Sequence, residues 1–235
     1  MNKFLISSVF LVALTGSAAA ADMGFDVNGK PWYFTLQGSY GPVLGDNDFF
    51  APNSNAAGPL FGSIDYGNAF VLGTSAGVFL NDNWRVGAEI NYFNLDTDAM
   101  NFSAASAIGA LGVTLGGDAD GFTAMLDVGY EHDFSDRFGG FVEAGAGLIN
   151  LNVNAATGAG FNGFVNSSDT VFAGKLGAGL TYDLTENVEF FGKYNFIFGE
   201  DASLQFTAPG AALNPVPFTV DTTQHTVLFG FRVKM

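Results

Sequence analysis

The sequence predicts an all-β protein, an eight-stranded antiparallel up-and-down transmembrane β-barrel with short periplasmic turns and four long extracellular loops. Three observations predict it. Eight segments alternate apolar and non-apolar side chains with period two, each near the roughly 9–11 residues that a tilted strand needs to cross a bilayer. The face opposite the apolar one carries glycine as often as charge, which suits the crowded lumen of a narrow barrel better than the wet face of a soluble sandwich. Finally, the connections run long, short, long, short, long, short, long, so all the short ones fall at one end.

The pattern is clearest in residues 70–93. Phe70, Leu72, Thr74, Ala76, Val78 and Leu80 share one face, with Gly73, Ser75 and Gly77 on the other. Beyond the turn Asn81-Asp82-Asn83, Val86, Ala88, Ile90 and Tyr92 oppose Arg85, Gly87, Glu89 and Asn91. Before this hairpin, residues 31–40 form strand one, with Trp32, Phe34, Leu36 and Tyr40 on one face and Tyr33, Thr35, Gln37 and Ser39 on the other. Residues 43–65, rich in Asn, Asp, Gly and Pro, read as a long loop. Residues 94–121 read as a second, whose outer parts can extend the flanking strands.

Strand four covers 122–133, turns at 134–138, and leads into strand five over 140–153. A third long loop, 154–169, precedes strand six, where Phe172, Leu176, Leu180 and Tyr182 alternate with Lys175, Gly177, Gly179 and Asp183. Thr185-Glu186-Asn187 turns the chain into strand seven, in which Phe190, Tyr194 and Phe196 oppose Glu189, Lys193 and Asn195. The fourth loop, 199–221, carries Pro209, Pro215 and Pro217, and the last strand runs to Met235.

Composition excludes several classes. The 235 residues hold 8 Lys+Arg against 23 Asp+Glu, so the clustered cations that neutralise nucleic-acid phosphates are missing. Zero cysteine excludes a disulfide scaffold and thiolate metal sites. Lys3, the apolar run 4–14 and the small residues 17–21 read as an export signal, cleaved after Ala21 or Ala20. The expected organisation is therefore a signal peptide over 1–21 and one barrel domain over 22–235, in the outer membrane.

The signal, the terminal strand with Phe229 and Phe231 in alternation, and the glycine-rich strand running through Asn81-Asp82-Asn83 into Trp84-Arg85-Val86-Gly87-Ala88-Glu89 resemble the OmpA/opacity-like eight-stranded outer-membrane barrels. The resemblance covers nearly the whole mature chain; Met235 stands where such chains usually end in an aromatic residue. It implies a porin-family small outer-membrane protein of Gram-negative cells, with a structural or surface role in envelope integrity, loop-mediated interaction or antigenicity. It also implies recognition of the last strand by the outer-membrane assembly machinery. A monomer embedded in outer-membrane lipids, non-enzymatic and without cofactor, is the expectation. A narrow porin-like channel and a lipid-modifying enzyme are the alternatives.

Arg85, Glu89, Asp127, Glu131, Glu143, Lys175, Asp183, Glu189, Lys193 and Arg232 fall on the glycine-bearing face. Enclosed by eight strands, charges of both signs are expected to pair as a structural plug; a Glu131/Glu143 catalytic pair or a selectivity filter is the functional alternative. The loops are acidic and hold no Lys or Arg, and Asp46/Asp48 and Asp96/Asp98 are weak candidates for divalent cations or a surface ligand. Trp32, Tyr33, Trp84, Tyr92, Phe93, Tyr130, Tyr182, Tyr194, Phe196 and Phe198 are expected in interfacial girdles. The two histidines, His132 and His225, have no serine two residues away on their own faces, so a hydrolase would need partners from neighbouring strands.

Overall fold

The computed structural model describes residues 32–42, 47–54, 58–102, 114–157, 163–207 and 215–235; the export signal and Asp46 lie outside the described residues. Among the described residues there are eleven strands: β1 Trp32–Pro42, β2 Asn47–Ser54, β3 Gly58–Phe79, β4 Trp84–Phe102, β5 Thr114–Asp133, β6 Phe138–Thr157, β7 Phe164–Asp183, β8 Val188–Gly199, β9 Ala202–Thr207, β10 Val216–Val220 and β11 Gln224–Lys234.

They build eight staves. Around the lower half the order is β1-β11-β8-β7-β6-β5-β4-β3, closed by antiparallel pairing of β1 with β3 from Trp32↔Val78 to Pro42↔Asn68. Above it, β2 continues the stave of β1, β9 that of β8, and β10 that of β11. The upper ring closes through β3-β2-β10-β9 and the β7–β9 pairing. The breaks between these strands, at 200–201 and 221–223, are hydrogen-bonded in place: Glu200 N donates to Phe172 O at 3.1 Å, and Thr223 N to Asp221 Oδ1 at 2.7 Å. At the lower rim the start of β1 meets the residue after β11, since Trp32 and Met235 exchange backbone bonds of 3.2 and 2.8 Å.

The three short turns, at 80–83, 134–137 and 184–187, share one design. In each, the second residue offers a side-chain oxygen to the backbone that re-enters the sheet. Asn81 Oδ1 accepts from Asn83 N and Trp84 N at 2.9 Å, Ser135 Oγ from Phe138 N at 3.2 Å, and Thr185 Oγ1 from Val188 N at 3.1 Å.

The expected outward residues of the lower half are exposed, among them Leu36, Leu72, Leu126, Leu148, Leu176, Leu180 and Phe229. The long loops are shorter than expected, because β3 to β7 continue through much of residues 58–65, 94–121 and 154–169, and β2, β9 and β10 occupy parts of the rest. The physical reason is that the faces exchange polarity. Along β6 the outward residues change from Val142, Ala144, Ala146 and Leu148 to Asn150, Asn152 and Asn154. The inward ones change from Glu143, Gly145 and Gly147 to Ile149, Leu151, Val153 and Ala155. On β7, outward Asn166, Ser168 and Thr170 give way to Phe172, Leu176 and Leu180, while inward Val171 and Ala173 give way to Lys175. Below this level the outside solvent is hydrocarbon; above it, water.

Twenty-residue strands such as β5, β6 and β7 rise about 50 Å at roughly 3.3 Å per residue and a tilt near 40°. That is about twice the ~25 Å apolar band of an outer-membrane barrel. The upper half is accordingly built like a small soluble barrel, with a core of Val71, Phe93, Ile149, Leu151, Val165, Ile197, Leu204 and Phe206 and their neighbours.

The exchange of faces sets a depth-dependent expectation. Leu126→Arg, midway between the outward rings of Tyr130 and Phe122, is expected to lower stability in phospholipid vesicles by about 2–4 kcal/mol. Asn154→Arg, outward on the upper tier, should change it by no more than about 0.5 kcal/mol. Guanidinium titrations of the two variants measure the contrast.

Candidate functional site

The site that the strands assemble is the interior of the lower barrel. Inward residues arrive from all eight staves because period two turns every second side chain into the lumen. Glycines among them leave room for the long ones. A Cβ on Gly87 would overlap Tyr33 Oη and one on Gly77 would lie 2.5 Å from it, so the phenol lies directly against both backbones. A Cβ on Gly129 would lie 2.9 Å from Arg85 Cζ. This is the close approach for which a crowded lumen keeps glycine.

Nearest the turns lies a layer of arginine and aromatic rings. Arg85 Nε and Arg232 Nη1 both donate to Glu131 Oε1 at 2.6 Å. Arg85 Nη2 reaches Glu143 Oε2 at 2.8 Å, and Arg232 Nη1 reaches Glu189 Oε1 at 2.9 Å. The Arg232 guanidinium carbon is 5.3 Å from the Tyr33 ring, 5.6 Å from Phe141, 5.9 Å from Phe79 and 6.0 Å from Phe191. Four rings around one cation replace water's contribution in part.

Above it lies a layer of lysine and carboxylates. Lys175 Nζ, fully buried, is 2.7 Å from Asp127 Oδ1, 3.0 Å from Glu143 Oε1 and 3.2 Å from Glu89 Oε1. Lys193 contacts Glu89 Oε2 and lies 3.2 Å from Glu143 Oε1. Neutral side chains finish the layer: Asn91 Nδ2 donates to Glu89 Oε1 at 2.8 Å, Gln37 Nε2 to Asn91 Oδ1 at 2.7 Å, and the Thr35 and Ser75 hydroxyls meet at 2.7 Å. Isolated charges at these depths would be prohibitive; each cation here has two or more carboxylates.

Nine of the ten charged residues singled out in the sequence are brought together in these two layers. Asp183 is the exception, because its strand ends there: it lies at the turn-end mouth, 3.7 Å from Lys234, which itself pairs with Glu189 at 2.8 Å. Glu131 and Glu143 are held apart in role by Arg85, which binds both. The aromatic expectation needs two corrections, since Tyr33 and Phe93 are buried inside the barrel rather than set in a girdle. Their odd-numbered positions on β1 and β4 share the inward parity of Thr35 and Asn91. Phe79, Phe141 and Phe191 were not singled out at all, although the same parity places them inward.

Asp48 falls on β2, and Asp96 and Asp98 on β4; among the described residues no cluster of three metal-ligating side chains exists. Asp169, at the end of the stretch 154–169 read as the third loop, accepts Ser203 N at 2.7 Å and so ties β9 to β7. His225 is on the outer wall, its Nδ1 2.5 Å from Tyr194 Oη and its ring 5.0 Å from Phe196. Its partner is thus a phenol, not the serine of a hydrolase. His132 lies exposed beside Phe134, with ring centroids 5.7 Å apart.

The shared carboxylate is the point to test. Glu131→Gln leaves two buried guanidiniums facing a neutral group, so stability in vesicles is expected to fall by about 3–5 kcal/mol. Combining it with Arg232→Met should recover part of that loss, and a denaturant double-mutant cycle measures the coupling.

Residues 8–232 match the family described as outer membrane protein beta-barrel domain. No curated protein matches the chain by sequence. Among solved structures, the chain is similar to the outer membrane protein OprG from Pseudomonas aeruginosa, at 18% identity and TM-score 0.61, covering 89% of this chain and 99% of that one. It is also similar to the outer membrane protease OmpT from Escherichia coli, at 8% identity, TM-score 0.54 and coverage of 86% and 97%. A third is a major outer membrane protein from Thermus thermophilus, at 12% identity, TM-score 0.52 and coverage of 87% and 99%. These likenesses concern the fold, and with the family match they lead to one conclusion: the chain belongs to the outer-membrane β-barrel family and resides in the outer membrane.

Proposed function

We propose that this barrel is a closed, non-enzymatic column of the envelope that anchors in the outer membrane and carries its loop end well above the lipid. The observation that supports this reading best is the order of the interior layers. Arginine among aromatic rings is followed by lysine among carboxylates, and then by the buried apolar residues of the upper tier. A water path would have to cross both a bound ion-pair layer and an apolar one. An eight-stranded interior is just wide enough for side chains to fill.

The charges suit a role in holding shape. Carboxylates that are each bound by one or more cations are poorly placed to exchange protons with a substrate, which a general acid or base must do. The outward wall of the upper tier carries Asn150, Asn152, Asn154, Asn166, Ser168 and Thr170, a polar face suited to contact at the cell surface.

Planar-bilayer recording of the purified protein separates the column from a channel. Wild type is expected to insert without discrete conductance steps, whereas Arg85→Ala combined with Arg232→Ala, which empties the lower layer, should produce flickering openings. Stepwise conductance by the wild-type barrel would reverse the reading.

A further inference from the structure

The lipid-facing wall of the lower barrel has a depression where β7, β8 and β11 meet. On β8 the outward row reads Phe190, Gly192, Tyr194 and Phe196, so a glycine stands among large rings. Across the ladder Gly192 faces Leu180 on β7 and Phe229 on β11, and Ala178, another small residue, faces Tyr194. An open groove of about 600 Å³ runs here, walled by Phe138, Tyr182, Phe190, Tyr194, Val227 and Phe229, and the Phe229 ring leans in to 3.2 Å from where a Cβ on Gly192 would stand. Phe190 and Phe229 are nearly parallel, 8° apart, beside the gap. From Tyr182 to Ala178 the groove runs about 13 Å along the strand, or about 10 Å in depth at a tilt near 40°, most of the ~12 Å that one leaflet contributes to a ~25 Å apolar band.

Its lower end meets the turns 134–137 and 184–187, which are linked by the Asp183 N to Arg137 O bond of 2.9 Å. Arg137 immediately precedes Phe138 in the groove wall. Of the Lys and Arg among the described residues, it alone takes no part in the interior ion-pair network. Exposed Asp136 and Glu186 occupy the same two turns. The rim thus offers one cation and flanking anions, at the depth where a lipid headgroup lies.

We propose that the groove is a binding site for one phospholipid of the periplasmic leaflet, with an acyl chain laid along Ala178 beside the Phe229 ring and a zwitterionic, ammonium-bearing headgroup at the two turns. Arg137 takes the phosphate through a charge-assisted hydrogen bond, and the neighbouring carboxylates take the ammonium. The mixed-sign rim disfavours a purely anionic headgroup, which would meet Asp136 and Glu186 with no ammonium to offer. The groove is continuous with the wall that already contacts hydrocarbon, so the chain needs no new route to fill it.

The test is native mass spectrometry of the protein released into detergent from vesicles of equimolar phosphatidylethanolamine and phosphatidylglycerol. Wild type is expected to retain a single phosphatidylethanolamine. Gly192→Leu, whose side chain pushes the Phe229 ring into the groove while keeping the wall apolar, should abolish retention, and Arg137→Gln should weaken it roughly tenfold. Both should keep the mobility of the folded barrel on unheated gels; if Gly192→Leu fails to insert, Ala178→Phe fills the same groove from β7. Equal retention by the groove-filling variant, preference for phosphatidylglycerol, no retained lipid in wild type, or a protein dimer closed over the groove would each overturn the proposal.

Discussion

Two guanidiniums that share one oxygen of Glu131 hold the lower barrel together. Arg85 on β4 and Arg232 on β11 are drawn to the same carboxylate on β5, and through Glu143 and Glu189 the contacts extend to β6 and β8. The backbone ladder alone would close the sheet, but it would leave a polar lumen filled by nothing in particular. With this shared contact, the staves are tied across the lumen as well as around it. The glycines of the same face follow from it, because Gly129, Gly77 and Gly87 leave the volume that Arg85 and Tyr33 occupy. The four rings around Arg232 follow too, since a guanidinium withdrawn from water is stabilised by π faces where carboxylates do not reach.

The upper half answers a different solvent. Once the outer wall leaves hydrocarbon, outward positions turn polar and inward ones apolar, and the same staves become a barrel with an ordinary hydrophobic core. Strands therefore continue without interruption through a boundary at which the meaning of each face is reversed. The reversal gives the molecule two independent means of cohesion, ion pairs below and apolar packing above. Residues 200–201 separate β8 from β9, and residues 221–223 separate β10 from β11. Asp169 shows how local the fitting is: its carboxylate binds the backbone of Ser203 and docks the start of β9 on β7.

Much of this was legible from residue order. The inward parity of Arg85, Glu89, Asp127, Glu143, Lys175 and Arg232 was readable because each stands among glycines and opposite a largely apolar row, and that of Lys193 from alternation with Phe190, Tyr194 and Phe196. Tyr33 and Phe93 were misread because aromatic residues near strand ends suit both a girdle and a lumen, and composition does not distinguish the two. The upper strands were read as loops for a related reason. Asn, Asp and Gly are frequent in turns, and a strand that inverts its faces midway loses the long coherent alternation by which a stave is recognised.

The sequence by itself determined the number of staves, the short turns, the lipid-facing rows and the set of charges enclosed within them, because period-two alternation is a local property of the chain. Only the tertiary structure decided which carboxylate each cation meets, that Glu131 serves two arginines, that Asp183 falls at the mouth, and that a groove runs in the wall where β7, β8 and β11 meet. Those outcomes depend on the register between staves distant in sequence, as when β1 meets β3 and β11 to close the ring. Closure sets a side chain against neighbours that no stretch of consecutive residues contains.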